Sequence, residues 1–133
     1  MNPIKLAEQL AKTGELEKAY EIYQQHLEEL QYPEKIYVLQ NMMVIADVLA
    51  SVKKSNWWNK KCMMLARKLI KECEKLNNFE VLAIAHLFIG KSYRRDGKTT
   101  NARKVLELAH ELAEQAKDEK LKIDIIKEYF KSS

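Results

Sequence analysis

Lys91, Arg94 and Arg95 are three cations at helical spacing, and positions three and four apart on a helix share a face, so this group can receive a carboxylate or another acidic group. A second basic set is longer. Lys53, Lys54, Lys60, Lys61, Arg67, Lys68 and Lys71 run without an acidic residue among them, and Trp57 and Trp58 lie inside the run. Charge for phosphates and rings for stacking on bases are what a nucleic-acid surface needs. Solvated helix faces also carry such lysines, and Trp58 fits a helical core, whereas the same register turns Trp57 toward solvent or a neighbour. The seven positive charges from 53 to 71 contrast with residues 1 to 34, where three Lys face seven Glu, so the net charge of +4 hides a polarity.

Catalysis needs polar groups that converge in a pocket, and the three His do not cluster in sequence. His26 and His110 read as packed or capping groups, and His86 as a ring packed between helices with one nitrogen paired. The chain has no His-Glu-x-x-His, no Cys-x-x-Cys and no Gly-rich phosphate loop. The expectation is a protein that is not an enzyme and has no metal and no cofactor. Cys62 and Cys73 fall in one helix eleven residues apart, about 16 Å along its axis, which is too far for a disulfide. Beside Met63, Leu65, Ala66, Leu69 and Ile70 they read as buried, reduced thiols, in keeping with a cytosolic home.

The elements that carry these residues follow from composition and punctuation. A chain of 133 residues rich in Leu, Lys, Glu and Ala, with three Gly and two Pro, points to one all-α domain over 1-133. The start, Met1 to Lys5, lacks an apolar run after a basic patch, and no stretch reaches roughly 18 uninterrupted apolar residues, so a soluble, cytoplasmic protein with no membrane partner is expected. Asn2 and Pro3 open a first helix that Gly14 ends. Further helices are expected at about 15 to 31, 33 to 53, 56 to 76 and 79 to 95. A sixth begins at Thr99 or Thr100 as cap and runs to about Lys117, and a last one is capped by Asp118 and runs to Phe130. The third is apolar nearly all round and should be central.

The ends of the chain superpose. Leu6-Ala7, Leu10, Gly14, Ala19 and Tyr23 recur as Ile89-Gly90, Tyr93, Gly97, Ala102 and Leu106, each displaced by 83 residues. A middle unit anchored on Ile45-Ala46, Leu49 and Ala66 fits between them. With His86-Leu87-Phe88-Ile89-Gly90-Lys91-Ser92-Tyr93, these residues resemble the tetratricopeptide repeat family. The resemblance implies a TPR-like right-handed superhelix of about three helix pairs plus a C-terminal capping helix, acting as an adaptor or regulatory module that binds a protein or peptide on its concave face.

Carried over by register, that face takes Ile4, Glu8 and Lys12 from the first unit, Gln40, Met43, Asp47 and Ser51 from the second, and Ile84, Leu87, Lys91, Arg94 and Arg95 from the third. The groove would grade from acidic to basic. Where the family's chaperone adaptors place a Lys and an Asn to clamp a C-terminal carboxylate, this chain has Ile4 and Glu8, so a different ligand is expected. The alternative is a nucleic-acid-binding accessory protein that uses Lys53, Lys54, Trp57, Lys60 and Lys61. A homodimer through the methionines and tryptophans at incompletely covered faces is a third reading.

Overall fold

The computed structural model describes residues 2–131 as seven α-helices: α1 (Pro3–Lys12), α2 (Leu16–His26), α3 (Glu34–Val52), α4 (Asn56–Glu74), α5 (Phe79–Arg95), α6 (Thr99–Ala116) and α7 (Glu119–Lys131). The chain is all-α, with no strand among the described residues. Several ends are set by one side chain each. Asn2 Oδ1 accepts a hydrogen bond from the Ile4 amide (2.8 Å), Ser55 Oγ from that of Trp58 (3.2 Å), Asn78 Oδ1 from that of Val81 (3.2 Å) and Asp118 Oδ1 from that of Leu121 (3.0 Å).

Two expected boundaries shift. α6 has no threonine cap: Lys98 holds the cap position without a side-chain bond, and Thr99 is already helical. The short turn is used up in closing α5, where Gly97 takes φ 75° and the Lys98 amide donates to Tyr93 O (2.9 Å). The second helix stops at His26, tightens into a 3-10 turn over Leu27–Glu29, and leaves Leu30 extended, short of the expected 31. The turn after α3, which has no glycine, is made by Lys54 at φ 49°.

Each helix packs on the next in sequence, and α5 also touches α3 and α7. Taken as pairs, α1–α2, α3–α4 and α5–α6 begin at residues 3, 34 and 79, so their spacing along the chain is uneven. In α5, a Cβ on Gly90 would stand 2.6 Å from Leu106 Cδ2, so any other residue there requires the Leu106 side chain to shift. The residues 83 positions earlier, Ala7 and Tyr23, are likewise buried, at 0% and 1% exposure. A main core joins α1 to α5, and a smaller one joins Ala83 and Leu87 of α5, Leu106, Ala109 and Ala113 of α6, and Leu121 and Ile125 of α7.

Helix α3 buries ten residues, Asp47 among them. By length and composition it is apolar enough to cross a membrane, with hydropathy 1.4, but that character is largely consumed by the core. Helix α7 covers the end of α6 as a closing helix would, yet leaves Ile123 and Ile126 exposed on its own outer side.

Candidate functional site

Helix α5 presents Lys91, Arg94 and Arg95 along one side, and each meets a carboxylate from a neighbouring helix. Lys91 Nζ lies 3.1 Å from Asp47 Oδ2. Arg95 Nη1 lies 2.7 Å from Asp47 Oδ1 without aligning an N–H on it, so that oxygen is charge-compensated but not hydrogen-bonded. Arg95 Nε donates to Asn59 Oδ1 (2.6 Å), and Asn59 Nδ2 donates to Ser92 O (3.1 Å) and Asp96 Oδ1 (3.0 Å). Arg94 donates from Nε and Nη2 to Glu128 Oε1 at 3.2 and 3.0 Å.

Asp47 and Glu128 are buried, at 6% and 5% exposure, so these charges tie α3, α4 and α7 to α5 as much as they furnish a surface. Beneath them Cys62 is paired with Ser92, and burial foremost, with the Asp47 charge second, pushes its thiol up to about 11.

A groove of about 560 Å³ opens over this network between α3, α5 and α7. Ile84, Leu87, Phe88 and Leu121 supply its apolar lining, and Lys91 Nζ sits 4.8 Å over the Phe88 ring. Five cationic side chains against three carboxylates line it, so a positive excess remains after internal pairing. The expected gradient from acidic to basic is interrupted in the middle, where Asp47 and Glu128 offset part of the α5 charge.

Met43 requires a correction, because its side chain is 0% exposed in the core and lines no groove. Val44 is the residue that turns outward, about 100° away around the helix. Tyr37, Val44 and Val48 form an exposed row on α3, at 47%, 43% and 38%, with Gln40 and Asn41 half-buried beside them. A second groove of about 410 Å³ lies along this row, with Glu8, Ala11 and Lys12 of α1 and Leu16 of α2 on its far wall. Glu8 and Lys12 thus share a groove, whereas Lys91, Arg94 and Arg95 belong to the other. Sequence reading missed Tyr37, Val44 and Val48 because an almost wholly apolar helix gives no contrast between inner and outer faces. Their β-branched and aromatic character at four- and seven-residue spacing was the available signal.

The basic segment divides. Lys53 pairs with Glu17, and Lys68 lies 3.3 Å from Glu28, whose carboxyl it holds below the usual range through a hydrogen bond and its charge. Trp58 is half-buried with its ring 4.9 Å from Tyr20 in an edge arrangement. Trp57 is 56% exposed, packs edge-on to Trp58 at 4.7 Å, and has Lys61 Nζ 5.0 Å over its ring. Lys54 lies beside Asn59 and Arg95 at a smaller hollow, and Lys60 is exposed.

The histidines stay apart. His86 Nδ1 donates to Leu82 O (2.7 Å), His26 lies 3.3 Å from Glu29, and His110 lies 3.8 Å from Glu114. Among the described residues no three His, Cys, Asp or Glu side chains gather as a metal ion requires. Compared with family models, with curated proteins and with solved structures, the chain matches none.

Proposed function

We propose that this protein is a non-catalytic interaction module of tetratricopeptide-like, superhelical build, whose inner face, formed by α1, α3, α5 and α7, holds an extended or helical segment of a protein partner. The exposed row of Tyr37, Val44 and Val48 carries this reading, because a helix otherwise buried in the core keeps apolar side chains in solvent along one line. Apolar anchors from a partner would fill the groove beside that row, and acidic groups would meet the positive excess beside α5. The repeated small residues at the helix-pair contacts, Ala7, Ala19, Gly90 and Ala102, support the architecture.

The test uses the α3 row, since reversing Lys91, Arg94 and Arg95 would break internal ion pairs. A displayed peptide library is selected on the wild-type chain, and the recovered peptides are assayed on Val44→Glu/Val48→Glu after circular dichroism establishes that the variant is folded. Saturable binding lost in the variant is expected. Failure to recover any saturable peptide, or equal binding by the variant, overturns the proposal.

A further inference from the structure

Helix α4 carries a face that the groove does not use. Within about 120° of arc around the helix, at about 100° per residue, lie Trp57, Lys60, Lys61, Met64, Arg67, Lys68, Lys71 and Lys75. That is six cations, the last of them Lys75 at the C-cap, with one indole and one thioether over about 27 Å, and Glu72 and Glu74 lie about 20° beyond the two edges of the arc. Trp57 and Met64 are 56% and 51% exposed. Lys60, Lys71 and Lys75 are exposed and make no ion pair among the described residues, and Arg67 meets only the Tyr93 hydroxyl at 3.4 Å.

Helix stability accounts for part of this arrangement only, since Lys71 in the last turn and Lys75 at the C-cap complement the negative end of the helix dipole. The first turn of α4 contains no acidic residue to complement the helix dipole, and Lys60 and Lys61 follow it in the second turn. Arg67 and Lys71 stand four residues apart, which sets like charges against one another, whereas Lys71 and Lys75 also have Glu74 and Glu72 three residues away.

We infer that this outward face of α4 binds single-stranded nucleic acid, with Lys60, Arg67, Lys71 and Lys75 on phosphates and the Trp57 indole stacked on a base. The charges are complementary to a phosphate chain, and an exposed ring held in place by Trp58 and Lys61 provides a sequence-tolerant platform. A single strand fits better than the other anionic partners. A bilayer asks for a broad apolar face, and this one offers only Trp57 and Met64, with Glu17 and Glu28 on the adjoining α2 side. A duplex keeps its bases stacked and away from the indole.

The test is fluorescence anisotropy of the full chain with a labelled oligo-dT of roughly 15 nucleotides, close to the site sizes of single-strand binders. Parallel arms use the matching duplex, phosphatidylserine vesicles and poly-Glu. Binding at about 50 mM salt is expected, and four phosphate contacts give a slope of log K against log salt of about −3. Trp57→Ala should lose about fivefold or more from loss of stacking. Lys60→Glu/Arg67→Glu should lose more than tenfold and flatten the salt slope, while both variants keep the wild-type circular dichroism. Three results would each overturn the inference: absence of binding, affinity indifferent to both variants, or tighter binding of duplex, vesicles or poly-Glu than of the single strand.

Discussion

Helices α5 and α4 carry similar sets of cations, and the fold treats them in opposite ways. On α5, Lys91 and Arg95 converge on buried Asp47, and Arg94 on buried Glu128. On α4, Lys60, Lys71 and Lys75 meet no carboxylate among the described residues, and only Lys68 is drawn to a glutamate. The difference lies in the opposing helix. α5 sits between α3 and α7, each of which delivers an acid to the contact, whereas among the described residues no helix packs over the outer side of α4. Spacing of cations along a helix therefore marks a face, and the partner helix decides whether that face is interior structure or free surface.

The strongest way to break this distinction is Asp47→Ala. It leaves Lys91 and Arg95 facing each other without their carboxylate, and removing one partner of a buried ion pair costs about 3–5 kcal/mol. Urea unfolding followed by circular dichroism should show a loss of that order. A loss below about 1 kcal/mol, the range of surface pairs, would mean that the α5 cations are as free as those of α4.

A second effect is confined to the paired region. Cys62 lies under Asp47 and Ser92, and its folded thiol is pushed up to about 11 from the ordinary thiol value of 9.0. Because the folded state holds this proton more tightly, the contribution is complete below pH 9 and fades as the pH rises through about 11. Between pH 8 and 10.5 the wild-type chain should lose about 2 kcal/mol more than Cys62→Ala, at about 1.4 kcal/mol per pH unit of unmatched ionisation. Equal losses would place the thiol outside the network. Tyr23 and Tyr20, also raised by burial, push both proteins in the same direction, and the part of the Tyr20 rise that comes from the Cys62 charge belongs to the same difference.

Helix existence and several helix ends were legible in the sequence because they rest on local signals, such as Asn2 and Asp118 as caps. The site was legible only in part. Met43 is groove-facing only by the register carried over from the resemblance, and because α3 is apolar on nearly every side, one residue of register exchanges a core methionine for Val44. The pairing of Arg94 with Glu128 spans 34 residues and that of Lys91 with Asp47 spans 44, and no periodicity within one helix encodes a contact between helices. Trp57 was readable, since its neighbour Trp58 had the better claim to the core and two successive helical positions point about 100° apart.

The smallest expected effect carries the opposite sign. In Lys60→Glu/Arg67→Glu, a carboxylate replaces a cation in the second turn of α4, and a second one comes to lie four residues before Lys71, turning a repulsion into an attraction. Loss of the long, exposed Arg67–Tyr93 hydrogen bond offsets little of this. The variant should be more stable than the wild type by about 0.5 kcal/mol at low ionic strength, with the gain fading toward 1 M salt, where the screening length is about 3 Å. Unfolding curves at the two salt concentrations measure it. A variant that gains stability while losing oligo-dT would show that the wild-type helix keeps its self-repelling charges for an anion. A destabilised variant would instead mean that these cations have folding partners after all, and the contrast between α4 and α5 would disappear.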